Sequence, residues 1–125
     1  MDVGIERIYR HDVFAVSVWD TLEEAARRLR AHNVGALMVF DEEGFIGIIT
    51  ERDLASAVAG GHYPETAQVG DYMTMRPITV TPNTDVREVA AQMLETEVRH
   101  LPVELDGRLV GVISLRDLLP VIVKG

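Results

Sequence analysis

The chain has 125 residues, a formal net charge of −8 at pH 7 and no cysteine. The acidic balance argues against bulk DNA or RNA as a ligand, although two or three local basic groups could still hold a small nucleotide. The lack of cysteine excludes disulfides, thiolate catalysis and cysteine-based zinc sites. No stretch approaches the ~20 apolar residues of a membrane span, and no apolar run of signal-peptide type is present at the N-terminus. We therefore expect a soluble, cytoplasmic protein.

The first half predicts the order strand, helix, strand, strand, helix. Residues 13–18 are typical of a short strand, and Asp20 or Thr21 then begins an amphipathic helix as its N-cap. Two apolar runs within residues 34–49 flank an acidic turn with glycine and predict a hairpin. A second helix is expected over residues 50–59, where a glycine pair ends it.

The second half repeats this order. Residues 78–80 predict a strand, and residues 101–113 predict a hairpin around an Asp-Gly turn. Ser114 begins the last helix, which Pro120 should end or kink within two turns because proline lacks the N–H donor. The helix between the strand at 78–80 and the hairpin at 101–113 is expected to turn five apolar residues inward: Val86, Val89, Ala90, Met93 and Leu94.

The two halves of the chain form an internal sequence repeat. Residues 16–54 align with residues 80–118 at a constant offset of 64, and 11 of these 39 positions are identical. The repeated cluster Gly-x-Ile-[Thr/Ser]-x-Arg-Asp-Leu contains polar and charged residues, which suggests a duplicated site. We expect an α/β (α+β) fold of two β-α-β-β-α repeats, residues 1–63 and 64–125, related by a pseudo-two-fold axis within one compact domain. The first two strands of each repeat should be parallel, with a right-handed crossover.

This arrangement resembles the CBS domain family, named after cystathionine β-synthase. The resemblance lies in the element order, the tandem pair and the end motif Gly-h-h-[Ser/Thr]-x-x-Asp, where h is apolar. It covers nearly the whole chain, from about Ile5 to Val121. Four segments carry it: GIITERDL at 47–54, GVISLRDL at 111–118, VRHLPV at 98–103 and VGDYMTMRPITV at 69–80.

The resemblance implies an adenosine-containing ligand in the cleft between the two repeats. AMP, ADP and ATP are the expected ligands, with S-adenosylmethionine and dinucleotides as further candidates. It implies that Asp53 and Asp117 accept the ribose hydroxyls, and that Thr50 and Ser114 lie on the ribose-phosphate. A carboxylate can accept two vicinal hydroxyls at once, and backbone N–H groups at a helix start attract phosphate.

Basic residues near the motifs could supply the positive charge that phosphate needs. In similar proteins, residues at the positions of Arg99 and His100 help to hold phosphates, whereas Arg76 and the Arg10-His11 pair precede the first strands, where the family holds adenine. A solvated surface charge, or pairing with a nearby acid, is an equal alternative for each of them. The candidate nucleotide-binding residues are therefore the basic residues Arg52, Arg116, Arg99, His100 and Arg76, together with Thr50, Asp53, Ser114 and Asp117 of the motifs. No histidine and carboxylate fall at a metal-ligand spacing, so no metal site is predicted.

A structural interpretation of the motifs stands beside the ligand hypothesis. Thr50-x-x-Asp53 and Ser114-x-x-Asp117 are also good helix N-terminal caps. Capping does not explain the matching glycine and arginine of each copy, and the glycine leaves room for a ligand or another backbone to approach closely. Both roles can hold at once.

The two sites are expected to differ in affinity or in ligand. The first repeat reads VGALMVF where the second reads VRHLPV, so Gly35-Ala36 supplies no base. The segment IERIYRHDVFAV also lacks the Met-Thr and Pro of YMTMRPITV.

Together these features predict a non-enzymatic regulatory module without catalytic residues that acts in trans on an unidentified effector protein. A homodimer is expected because both motif helices have more apolar surface than their own sheet can cover. The alternative is a protein-interaction or scaffold module with no physiological nucleotide. A hydrolase or phosphotransferase is disfavoured, since the chain has no Walker-type glycine loop, no nucleophile–base pair in one segment and no cluster of metal-binding acids.

Overall fold

The computed structural model describes residues 3–124. Their contacts divide the chain into two compact units. The first unit is the contiguous stretch 14–77, and the second unit joins the N-terminal segment up to residue 13 to the stretch that begins at residue 78. These boundaries differ from the repeat boundary expected at residues 63 and 64, because the leading segment of each repeat packs with the other repeat.

The first unit is a four-stranded sheet with helices. Its elements are β1 (Ala15–Ser17), α1 (Leu22–His32), β2 (Ala36–Asp41), β3 (Gly44–Thr50), α2 (Glu51–Ala59) and β4 (Thr74–Met75). The strands lie in the order β1-β2-β3-β4, with β1 parallel to β2 and the other neighbours antiparallel. A short 3-10 turn at Val69–Asp71 precedes β4.

The second unit repeats the hairpin and both helices. Its elements are α3 (Val86–Thr96), β5 (His100–Leu105), β6 (Arg108–Ser114) and α4 (Leu115–Lys124), with β5 and β6 antiparallel. Each of these four begins 64 residues after its counterpart. Even the irregularities repeat, because the register of both hairpins shifts after an equivalent valine, Val39 in one and Val103 in the other. The α/β class and the duplicated order are therefore confirmed.

The first strand of the second repeat is reduced to a single bridge. Val80 pairs in parallel with Val103, just as Val16 pairs with Val39 in β1. In the first unit the flanking bonds run from Met38 N–H to the Phe14 carbonyl and from Val18 N–H to the Phe40 carbonyl. The positions equivalent to these two donors are prolines 102 and 82, which have no N–H. The strand predicted at residues 78–80 therefore forms only at its centre.

The helix caps follow the sequence closely. The Thr21 hydroxyl accepts from the Glu24 amide at the start of α1, and Asn33 ends that helix in the left-handed conformation with φ of 54°. Asp85 caps α3, and Glu97 ends it with φ of 57°. Both helices thus end at equivalent residues.

Each unit has its own apolar core. The first contains Val16, Leu22, Ala25, Leu29, Leu37, Val39, Ile49, Ala57 and Val69. The second contains Ile5, Val80, Val86, Val89, Met93, Leu101, Val103, Ile113 and Leu118. The expectation that Leu94 points inward was wrong, since its side chain is 83% exposed and the buried stripe of α3 passes through positions 86, 89 and 93.

The exchanged leading segments contact the cores in equivalent ways. Ile5 is fully buried in the second unit, where its amide donates to the Thr84 carbonyl over 3.2 Å. Val69 is fully buried in the first unit, and its amide donates to the Asp20 carbonyl over 2.8 Å. In both segments the carbonyl of this buried residue accepts from the amides three and four residues further on. The two donors, Ile5 and Val69, are 64 residues apart, and so are the two acceptors, Asp20 and Thr84.

Helix α4 continues through Pro120 to Lys124, so of the two expected effects of proline, an end or a kink, the helix end does not occur. Pro120 cannot donate to the preceding turn. Leu118 is fully buried in the core and Val121 packs against it, one on each side of the proline. Apolar packing of this face therefore holds the helix across the missing hydrogen bond.

Candidate functional site

The first motif joins the end of β3 to the start of α2. The Asp53 carboxylate folds back so that its Oδ2 accepts from the Thr50 amide over 2.8 Å and from the Thr50 hydroxyl over 3.1 Å. The Asp53 amide in turn donates to the Thr50 hydroxyl oxygen over 3.3 Å. This reciprocal capping box fixes the carboxylate at the helix N-terminus. The capping role expected from sequence is present.

The second motif has the same backbone arrangement with an added cation. Asp117 Oδ2 accepts from the Ser114 amide over 2.9 Å, and the Asp117 amide donates to the Ser114 hydroxyl oxygen over 3.3 Å. The other carboxylate oxygen, Oδ1, accepts from Nε of Arg10 over 3.3 Å. This ion pair joins residues 107 positions apart, so no local pattern could have revealed it.

The motif glycines allow two backbones to pack closely. A Cβ on Gly47 would lie 2.5 Å from the carbonyl oxygen of Thr74. A Cβ on Gly111 would overlap the carbonyl oxygen of Arg10 and the ring of Tyr9. Of the two roles that sequence left open for these glycines, the approach of another backbone is the one observed in each unit.

Backbone amides at the start of both motif helices already have acceptors. In α4 the Leu115 amide donates to the Arg99 carbonyl over 2.8 Å, and in α2 the Glu51 amide donates to the Gly35 carbonyl over 3.1 Å. Together with the cap bonds, three backbone amides at the start of each helix therefore have acceptors: those of the N-cap residue, the first residue and the third residue. A phosphate at either motif would therefore depend mainly on side-chain cations.

The candidate basic residues lie in different places. His100 stands directly opposite Ser114 in the β5–β6 ladder, and Arg99 precedes it with an exposed side chain. Arg52 and Arg116 are exposed on the first turns of α2 and α4. The second unit thus brings Arg99, His100 and Arg116 to the same end of the hairpin as Asp117.

Arg76 lies away from the motif of its own unit. Its amide donates to the Ile46 carbonyl over 3.0 Å, and Ile46 precedes Thr50 by four residues on β3, or about 13 Å along the strand. Its backbone has a φ of 49°, which is uncommon for a residue other than glycine. The first unit therefore does not place Arg76 beside Asp53.

A surface concavity of about 520 Å³ lies at the opposite end of the first sheet from its motif. Its lining includes Ser17, Trp19 and Phe40. Phe40 pairs with Phe45, whereas Thr50 pairs with Ala36 at the other end of the β2–β3 ladder. This concavity is separate from the residues expected to bind a nucleotide.

Within residues 3–124, no three histidine, aspartate or glutamate side chains come together as metal ligands. Over the same residues, no helix has both the length and the apolar character needed to cross a membrane.

Comparisons with known proteins all point to the same family. A model of the CBS domain matches the chain twice, at residues 5–60 and 69–124. An uncharacterized protein of Methanopyrus kandleri is 34% identical over 122 residues, which cover 95% of this chain and 62% of that protein. A mitochondrial CBS domain-containing protein of Arabidopsis thaliana is 37% identical over 110 residues, which cover 83% of this chain and 53% of the relative. The chain thus spans less than two thirds of the length of either relative.

Solved structures agree with these matches. A CBS-domain containing protein from Agrobacterium tumefaciens has 35% identity and a TM-score of 0.89, over 96% of this chain and 93% of that one. The CBS domain pair of protein MJ0100, in complex with 5′-methylthioadenosine and S-adenosyl-L-methionine, has 27% identity and a TM-score of 0.87, over 99% and 98%. A hexameric CBS-CP12 protein from bloom-forming cyanobacteria has 28% identity and a TM-score of 0.88, over 95% and 71%. The duplicated motif, the two domain matches and these neighbours together show that the chain belongs to the CBS domain family, as a tandem pair.

Proposed function

We propose that this protein is a non-enzymatic regulatory module that binds an adenosine-containing ligand and acts in trans on a partner protein. AMP, ADP and ATP are the ligands we favour, with S-adenosylmethionine as a further candidate. Asp53 and Asp117 would accept the ribose hydroxyls, one acid for each motif. The adenosine ligands of the MJ0100 domain pair support this ligand class.

One observation carries the proposal. In both motifs the backbone amide of the N-cap residue binds the Oδ2 oxygen of the aspartate, as seen for Thr50 with Asp53 and for Ser114 with Asp117. The carboxylate is thereby held in a fixed orientation by one oxygen. At Asp117 the other oxygen accepts from Arg10 Nε, so a ribose hydroxyl would have to take the place of that charged donor.

A second candidate function is a protein-interaction or scaffold module with no physiological nucleotide. The packing of the glycines favours it, because close backbone contacts account for Gly47 and Gly111 without a ligand. Capping likewise accounts for Thr50 and Asp53. The two candidates differ in whether the motif acids affect the binding of any nucleotide.

We also propose a homodimer built on the motif helices. Several apolar side chains of α2 and α4 remain exposed: Val58, Leu119, Ile122 and Val123. Such apolar surface on a small acidic chain is typical of an interface between subunits. Leu118, on the same helix, lies in the core of the second unit and is fully buried there.

Titration calorimetry with AMP, ATP and S-adenosylmethionine tests the proposal. Asp53→Ala and Asp117→Ala should each weaken binding at one site by about 1.5–3 kcal/mol, which is roughly 10- to 150-fold, because a hydrogen bond to a charged group is lost. The asparagine variants should lose less, since one acceptor oxygen remains. A thermal-shift series with the same ligands should show an upward shift for the wild type.

Asp85→Ala is the matched control. Asp85 caps α3 through the Arg87 amide over 3.1 Å but belongs to neither motif. Its loss should destabilise the protein by about 0.5–2 kcal/mol, as a lost cap does, and leave the affinity unchanged. Unchanged affinity in the folded double variant of Asp53 and Asp117 would rule out the sites. An absence of binding by every adenosine ligand would favour the scaffold function.

A further inference from the structure

The two motif aspartates differ in the residue that faces them from the leading segment. Arg10 donates through Nε to Asp117 Oδ1 over 3.3 Å in the second unit. The residue equivalent to Arg10 at the offset of 64 is Thr74, which has no charge to offer in the first unit. The duplication is therefore broken at a position of the leading segment that contacts a motif carboxylate.

The backbone of Arg10 is fixed, so only its side chain can move. Its amide donates to the Val112 carbonyl over 2.9 Å, and its carbonyl accepts from the Val112 amide over 3.0 Å. The same carbonyl lies against Gly111, where a side chain would not fit. The backbone of Arg10 is consequently anchored opposite Val112, two residues along β6 from Ser114, and the guanidinium is within reach of the motif.

The ion pair allows Arg10 to exchange the Asp117 carboxylate for another anion. The Asp117 side chain is only 10% exposed, whereas that of Arg10 is 57% exposed. Arg10 uses one donor of five in this contact, and no acceptor for its terminal amino groups is found among residues 3–124. A guanidinium with four remaining donors can bind a phosphate with two parallel hydrogen bonds.

A phosphate at this motif needs such a cation. The amides of Ser114, Leu115 and Asp117 already have acceptors at the start of α4, so the helix N-terminus offers little to an anion. An uncharged adenosine would have to displace Arg10 from Asp117, and it would offer the guanidinium no anion in place of the carboxylate. A 5′-phosphate would instead draw Arg10 from the carboxylate and free Asp117 for the ribose.

We infer that Arg10 makes the Asp117 site selective for phosphorylated adenosine ligands over uncharged ones. This inference rests on the proposed role of Asp117 in binding ribose. The Asp53 motif has Thr74 at the equivalent position and lacks this selection. The first motif should therefore distinguish AMP from adenosine much less than the second.

The test measures AMP and adenosine affinities by titration calorimetry in an Asp53→Ala background, which isolates the second motif. Arg10→Thr introduces the residue that stands at the equivalent position in the first unit. It should reduce the AMP-to-adenosine affinity ratio by roughly tenfold or more, the size of one lost charged contact, by raising the affinity for adenosine and lowering that for AMP. Arg10→Lys keeps the charge and should retain part of the ratio.

The reverse exchange gives an independent measurement. Thr74→Arg in an Asp117→Ala background should raise the AMP-to-adenosine ratio at the first motif. If Arg10→Thr leaves the ratio unchanged, or weakens both ligands equally, Arg10 only positions Asp117 and the inference is wrong. If the wild type binds neither AMP nor adenosine, the inference fails, and the proposed function fails with it only if ATP and S-adenosylmethionine do not bind either. Binding of both ligands with an unaltered ratio rejects only the role of Arg10.

Discussion

Replacing Ile5 with alanine tests whether the N-terminal segment belongs to the core of the second unit. Ile5 is fully buried there and packs with the core of the second hairpin and α3. The substitution removes three buried carbons, each worth about 0.8 kcal/mol of transfer free energy, or about 2.4 kcal/mol together. The cavity left behind adds to this, so we expect a loss of about 2–4 kcal/mol in the free energy of unfolding.

Urea unfolding followed by circular dichroism measures this loss for the whole chain. The single tryptophan, Trp19, lies in the first unit, so its fluorescence reports that unit separately. Hydrogen exchange should then place the loss of protection in β5 and β6. Val3→Ala is the matched control, since that side chain is 42% exposed in the same segment. An Ile5→Ala effect no larger than that of Val3→Ala, or less than about 0.5 kcal/mol, would refute the exchange of leading segments.

Three further outcomes are expected. Gly47→Ala should destabilise the first unit by about 1–3 kcal/mol in urea unfolding, because the new Cβ would meet a carbonyl oxygen of β4 at 2.5 Å; wild-type stability would contradict this. Leu119→Glu should convert a dimer of about 28 kDa, measured by light scattering, into a folded monomer, because Leu119 is exposed. Leu118→Glu should instead unfold the second unit, because Leu118 is buried. A wild-type mass near 14 kDa would refute the proposed dimer. The hydrogen bond from Arg28 lowers the pKa of Glu24 below its ordinary value, so Glu24→Gln should destabilise α1 at neutral pH. A carboxyl group whose pKa is lower in the folded state stabilises the fold at pH values above its unfolded pKa. The difference in the free energy of unfolding between the wild type and Glu24→Gln should therefore vanish as the pH falls below the folded pKa, and a pH-independent difference would contradict this prediction.

Local features of the fold could be predicted from sequence because their causes are local. Thr21, Asn33 and Thr50 lie at the expected helix ends, and both hairpins form around their expected turns. Capping needs only a side-chain oxygen near an amide a few residues away, and alternation of apolar residues depends on neighbours in the chain. The capping of the two motifs was predicted for the same reason.

Features that depend on distant contacts could not be predicted in this way. The pairing of Arg10 with Asp117 depends on where the leading segment packs, and nothing near Arg10 in the chain indicates it. The exposure of Leu94 depends on which face α3 presents to the core. The shortened strand at Val80 was in principle readable, because the prolines that remove its bonds are visible once the repeats are aligned.

The discontinuous second unit has a consequence for the order of folding. The contiguous first unit, residues 14–77, can close its core as soon as its own chain is available. The second unit must bring Arg10 to Val112 across a loop of about 100 residues, and the entropy of that closure is recovered only after both ends are present. Contacts of such long range slow folding. During synthesis, the apolar side chain of Ile5 therefore has no core to enter until the last hairpin has emerged, whereas the whole chain of the first unit is available by then.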